Sequence, residues 1–190
     1  MRTLIIGPPG AGKGTQARYI ADRFGIPAIS TGDIFRGNVA QGTPLGLEAK
    51  RFMDAAEYVP DEITNRMVRT RIGEPDAEQG FLLDGYPRTL AQVDELDAMI
   101  GLTGHKLDAV LVLVVDPEEI VKRLLERGQI EGRADDTKDV IRRRQQVYIE
   151  QTEPLIATYR ERDLVREVGL SGSDDLAPHG LLHDRTERLG

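Results

Sequence analysis

The sequence contains no cysteine, which excludes disulfide frameworks, thiolate zinc sites, iron–sulfur clusters and a cysteine nucleophile together. Long apolar runs are missing as well. The first, Leu4 to Ile6, is only three residues long before glycine and prolines follow, too short for a signal peptide or a membrane span, and no later run approaches the ~18 residues that a span requires. A soluble, cytoplasmic protein is the expectation. An excess of positive charge is also absent: the formal net charge is −7, the wrong sign for non-specific wrapping of nucleic acid. Lysine is scarce too, with only Lys13, Lys50, Lys106, Lys122 and Lys138 among the 25 basic residues. The arginine bias suits forked recognition of small phosphates and equally a GC-rich genome, so only arginines at informative positions carry weight. What remains is a chain of 190 residues, 39% hydrophobic and 30% charged, long enough to bury roughly 70% of its unfolded surface without staples.

Short apolar runs alternate with longer amphipathic stretches, the pattern of βα units. The runs Leu4 to Ile6, Ala28 to Ile29, Phe81 to Leu83, Ala109 to Val115 and a weaker Leu164 to Val168 read as five strands. Between them, Gln16 to Phe24 sets Ala17, Ile20, Ala21 and Phe24 on one helical face. Thr43-Pro44, Pro60-Asp61 and Asp116-Pro117 each open a helix, the last over Glu118 to Arg127. Thr89 caps Ala91 to Ile100, and Thr137 opens a long helix that Pro154 should kink or divide. Strands separated by helices need crossover connections, hence an α/β fold with a mostly parallel sheet covered on both faces. Ligands of such sheets bind beyond the strand C-termini, where GPPGAGKGT, STGD and DGYPR follow the first three strands.

The segment Gly7-Pro8-Pro9-Gly10-Ala11-Gly12-Lys13-Gly14-Thr15 lies between a strand and a helix, the setting of a phosphate-wrapping loop. Its glycines let backbone N–H groups converge, the helix start adds partial positive charge, and Lys13 reaches the outer phosphates. An ordinary βα turn would match so many fixed residues by chance with odds on the order of one in a million. The loop departs from the general pattern at one place. Gly14 follows the lysine, where a Ser or Thr usually ligates Mg²⁺, and Thr15 comes one residue later. A carboxylate could anchor hydrated Mg²⁺ instead, and Asp84 and Asp116 both end apolar runs. Asp116, before Pro117, has the simpler role of helix cap, so Asp84 in its turn beside Arg88 is the stronger candidate.

With GPPGAGKGTQA, STGDIFR, YVPDEIT, GFLLDGYPRTLAQ and GRADDT in that order, the chain resembles the adenylate kinase family from Met1 to about Arg162. The resemblance implies a P-loop kinase fold with a five-stranded parallel sheet, a single domain over 1–190, and conversion of MgATP and AMP into two ADP. It assigns ATP phosphates to Gly10, Ala11, Gly12, Lys13, Gly14 and Thr15, and AMP to Thr31, Arg36, Gly85, Arg88 and Gln92 with backbone at Glu57, Tyr58 and Val59 and the adjoining Tyr86-Pro87. Arg123, Arg127, Arg133 and Arg144 match arginines around the transferring phosphoryl group and the ATP base. The AMP-binding segment would span 31–60 and a short lid loop 127–137. No zinc-bearing lid is possible without cysteine, the Mg²⁺ would come with ATP, and the resemblance implies a monomer. Of the adjacent Arg142, Arg143 and Arg144 at most one or two can face a site, because they span about 300° of a helical wheel.

The end of the chain, GLSGSDDLAPHGLLHDRTERLG, departs from the family pattern. Gly172 is the candidate backbone contact to the ATP adenine there. His179 and His183 have metal-ligand spacing without a third ligand, so no resident metal is expected. Two other functions compete. A pyrimidine monophosphate kinase would share the phosphate machinery, but such relatives carry alanine where Thr31 stands, and Gln92 can pair with an adenine edge. A nucleotide-dependent switch would not explain the second phosphate-oriented group at Arg36 and Arg88, and the N-K-x-D guanine signature is missing.

Overall fold

The computed structural model describes residues 1–116, 120, 123–124 and 138–170. Five strands form one sheet, β1 (Arg2–Ile6), β2 (Ala28–Ser30), β3 (Phe81–Asp84), β4 (Ala109–Val115) and β5 (Val165–Leu170), in the order β2-β3-β1-β4-β5 with every pairing parallel. The helices are α1 (Lys13–Phe24), α2 (Thr31–Gln41), α3 (Pro44–Asp54), α4 (Asp61–Ile72), α5 (Leu90–Gly101), α6 (Lys138–Val147) and α7 (Pro154–Glu161). The expected α/β class and five-stranded parallel sheet are thus observed.

Strand alternation divides the core in two. Leu4, Ile6, Leu83, Phe81, Val110 and Val112 point to one face and pack with Val68 of α4, Val93, Leu96, Met99 and Ile100 of α5, and Leu155 and Tyr159 of α7. Ile5, Leu82 and Leu113 point to the other and meet Ala17 and Ala21 of α1. Central strands buried on both sides read as unbroken apolar runs, which is why β1, β3 and β4 are visible in the sequence. A separate small core of Phe35, Ala49, Val59 and Ile63 holds α2, α3 and α4 together.

The starts of several helices follow the sequence signals. Thr43 Oγ1 accepts from Gly46 N at 3.1 Å with Pro44 in the first turn, and Thr89 caps α5 through Gln92 N at 3.2 Å. Ile120 N donates to Asp116 O at 3.1 Å, in keeping with a helix opening at Asp116, whereas most of 118–127 and the cap at Thr137 lie outside the described residues. The long C-terminal helix is divided before Pro154 by a wide turn over Tyr148–Thr152.

Two expectations need correction. Phe24 is 58% exposed rather than packed with Ala17 and Ala21. Helix α1 ends in a Schellman-type turn in which Ile26 N donates to Ala21 O, and Ile26 enters the cluster in place of Phe24. The last strand begins at Val165 rather than Leu164, because Leu164 N is still bonded to Tyr159 O at the end of α7. Helix α2 is not signalled by apolar periodicity. It is started by Ser30, whose hydroxyl accepts from Asp33 N at 3.2 Å, so the STGD motif is itself a helix cap.

Candidate active site

The loops after β1, β2 and β3 and the N-termini of α1 and α2 open on one cleft of about 920 Å³ at the C-terminal edge of the sheet. Its floor is the phosphate loop. Gly10, Gly12, Lys13, Gly14 and Thr15 line it, and α1 starts at Lys13, so the amides of its first turn begin where an anion would sit. Lys13 Nζ donates to Gly7 O at 2.8 Å and Pro8 O at 2.9 Å, which fixes its ammonium beside the loop. Gly10 needs to be glycine twice over: its φ is +87°, and a Cβ there would stand 2.7 Å from Leu124 Cγ. Ala11 does not face the cleft. Its methyl is fully buried in the α1 core, and its N–H donates to Pro8 O, so any phosphate contact by Ala11 cannot involve its side chain.

Across the cleft stands a second polar group built from α2, the β3 turn and α5. Thr31 Oγ1 donates to Gly85 O at 2.9 Å. Arg36 pairs with Asp33 one turn earlier on α2. Arg88 Nε donates to Gly85 O at 2.7 Å, and its guanidinium lies over the Tyr58 ring at 4.8 Å from the centroid. Gln92, 2% exposed, accepts from Arg88 N through Oε1 at 2.7 Å and donates from Nε2 to Asp61 Oδ1 at 2.6 Å. A carboxamide carries two N–H groups and two acceptor lone pairs, so one of each on Gln92 is accounted for by this network. Asp61 also accepts from Thr89 Oγ1 at 2.8 Å. Glu57, Tyr58, Val59 and Pro87 line the same cleft. Tyr86 does not: its ring is buried with Leu83 and Val93 and its hydroxyl donates to Asn65 Oδ1 at 2.8 Å, and Gly85, at φ +82°, breaks the alternation that would have set it on the Leu82 face. Burial, with Glu95 and Asp61 nearby, pushes its phenol well above the ordinary value.

Asp84 sits between the two groups. Its Oδ2 lies 3.8 Å from where a Cβ on Gly14 would be. Burial raises its carboxyl above the ordinary value, and Lys13, Arg88 and Arg36 only partly offset that while Asp33 adds to it. Asp116 does not line the cleft. Arg123 and Arg144 reach the cleft from the far side, and Arg142 and Arg143 are exposed. Arg127, Arg133 and Gly172 lie outside the described residues. Sequence reasoning missed Asp61 and Thr152. The first acts only through Gln92 and Thr89, and the second, in the turn before Pro154, reaches residues 64 and 94 positions away, a pairing that no local signal announces.

The adenylate kinase family model matches residues 5–164. The chain is 73% identical over 175 residues to an adenylate kinase of Nocardioides sp. strain JS614, covering 92% of each chain. It is 56% identical over 188 residues to that of Micrococcus luteus, covering 99% of this chain and 88% of the other. Against the adenylate kinase of Thermobifida fusca the identity is 55% over 172 residues, with 90% and 91% covered. A match of this extent runs through the phosphate loop, the β3 turn and the α6 arginine alike, and the chain belongs to the adenylate kinase family.

Proposed function

We infer that this chain is an ATP:AMP phosphotransferase, moving the terminal phosphoryl group of MgATP reversibly onto AMP to give two ADP. The observation that carries the reading is one cleft lined on one side by the phosphate loop with Lys13 and on the other by a second cation group at Arg36 and Arg88. A single-nucleotide switch has no use for the second group.

The acceptor is a phosphate oxygen that is already ionised near neutral pH, so the reaction needs no general base. Its difficulty is electrostatic: about six negative charges must be brought together before Mg²⁺ is counted. In this reading Lys13 and the loop from Gly10 to Thr15 hold the donor phosphates. Arg36 and Arg88 hold the acceptor phosphate, and Arg123 and Arg144, with Arg127 and Arg133, close on the phosphoryl group in transit. Forked guanidinium contacts fix geometry as well as charge. Thr31, Gly85 and Gln92, with backbone at Glu57 to Val59, select the acceptor base, and Gly172 borders the donor adenine. The Mg²⁺ carried by ATP fits near Asp84, a carboxylate facing a loop whose Gly14 offers no hydroxyl, and held there through water it would neutralise charge on the outer phosphates.

Residues 31–60 serve as the acceptor segment and 127–137 as a short lid within a single domain. Lid closure in adenylate kinase is a standard example of water exclusion from phosphoryl transfer. The reading includes a cytoplasmic monomer acting on small nucleotides; the acidic net charge supports the exclusion of nucleic acid, and among the described residues no helix is long and apolar enough to cross a membrane.

Single-turnover consumption of ATP with and without AMP, CMP and UMP tests the proposal. ATP loss that depends on AMP and forms ADP in twofold yield is expected. Loss without an acceptor, or a preference for CMP or UMP, would overturn it.

A further inference from the structure

Thr152 occupies the last position of the wide turn between α6 and α7, in which Glu153 N bonds back five residues to Tyr148 O at 2.9 Å. Pro154 explains the wide turn, since it has no N–H for the Glu150 carbonyl and its ring would crowd that carbonyl in a regular helix. Such single wide turns inside helices recur at functional sites. Thr152 is only 5% exposed. A threonine in a helix ordinarily turns its hydroxyl to its own preceding turn, yet Thr152 Oγ1 donates across the fold to Arg88 O at 3.1 Å. The same oxygen lies 2.8 Å from Tyr58 Oη. A hydroxyl has one proton, and the Arg88 carbonyl has none to give, so Tyr58 must donate to Thr152 and Thr152 to Arg88.

The relay completes a clamp. Arg88 is held at its N–H by Gln92, at its carbonyl by Thr152, at Nε by Gly85 O and across its guanidinium face by Tyr58. The terminal nitrogens are then directed as one rigid fork, the geometry that bidentate phosphate contact requires.

We propose that Thr152, through the relay from Tyr58, is a positioning residue for Arg88, so that the turn before Pro154 sets the orientation of the cation that receives the acceptor phosphate. The proposal rests on AMP being the acceptor and deepens that reading, because it ties one half of the cleft to a hydroxyl in the turn between α6 and α7. It also predicts an asymmetry: the relay touches the acceptor side and leaves the phosphate loop alone.

Thr152→Val, Thr152→Ser and Tyr58→Phe, assayed for KM of AMP, KM of ATP and kcat, decide it. Thr152→Val keeps shape and removes the hydroxyl; KM for AMP should rise about tenfold or more while KM for ATP stays within about twofold. Thr152→Ser should return KM for AMP to within about threefold of the parent. Tyr58→Phe keeps the ring under Arg88 and removes only the first donor, so a smaller rise in KM for AMP, about three- to fivefold, is expected. If KM for AMP in Thr152→Val stays within about twofold of the parent, or both KM values climb together, Thr152 does not act through Arg88. Should Thr152→Val fail to fold, Tyr58→Phe with an unchanged KM for AMP overturns the relay. A parent enzyme without AMP-dependent turnover would instead overturn the acceptor reading, an outcome distinct from any of these.

Discussion

Gly85→Ala tests whether the β3 turn is shaped for the acceptor. Gly85 has φ +82°, and a Cβ there would stand 2.7 Å from Thr31 Oγ1 and 2.9 Å from an Arg88 terminal nitrogen. Placing alanine in the left-handed region costs about 1–2 kcal/mol. Thr31 is buried and donates to Gly85 O, so rotating its hydroxyl away loses a hydrogen bond of about 0.5–1.5 kcal/mol. Arg88 moves more easily, being the far end of a flexible chain, but moving it breaks Nε to Gly85 O and lifts the guanidinium from Tyr58. The stability loss should therefore be about 2–3 kcal/mol in urea unfolding. KM for AMP should rise about tenfold or more with KM for ATP within about twofold, because the clash is confined to the acceptor side. A variant within about 0.5 kcal/mol of the parent and with an unaltered KM for AMP would refute the argument from close approach.

Lys13→Met should fold and lose about 10²-fold or more in kcat, since it removes the ammonium held beside Gly7 and Pro8 while keeping the loop; steady-state activity within about threefold of the parent would refute that role. Gln92→Ala should relax the preference for AMP over CMP, whereas Arg88→Ala should weaken both acceptors alike, and equal changes in the AMP to CMP ratio would contradict the division of base and phosphate recognition. Asp84→Asn should cut kcat without lowering the melting temperature of the nucleotide-free protein at pH 7. Burial raises the Asp84 carboxyl, so as pH falls toward the ordinary carboxylate range the native state takes up this proton before the unfolded chain does. That contribution to stability is present at low pH and falls as pH rises through the folded value. The asparagine variant should lose this part of the slope, and thermal melts between about pH 4 and pH 7 that superimpose in shape for both proteins would contradict it.

The strands and the phosphate loop could be read directly because their causes are local. A buried parallel strand needs an unbroken apolar run, as in Val110 to Leu113, and a phosphate loop needs glycines at fixed spacing before a helix. Helix starts at Thr43 and Thr89 were likewise set by the side chains present, since a cap bonds only two or three residues ahead. Ser30 shows how such a signal is overlooked when the helix behind it carries glycines at 32 and 37 and lacks an apolar stripe. Tertiary structure decided what no short-range rule contains. It turned Tyr86 into the core and Arg88 into the cleft from turn positions on either side of Pro87, exposed Phe24 by bringing in Ile26, and buried the methyl of Ala11 under the loop. It alone joined Asp61 to Gln92 across 31 residues, and Tyr58 and Thr152 to Arg88. The physical reason is that these hydroxyl, amide and carboxylate groups are satisfied by whatever the packed layers bring within hydrogen-bond reach, and that distance is fixed by how helices lie on the sheet rather than by spacing along the chain.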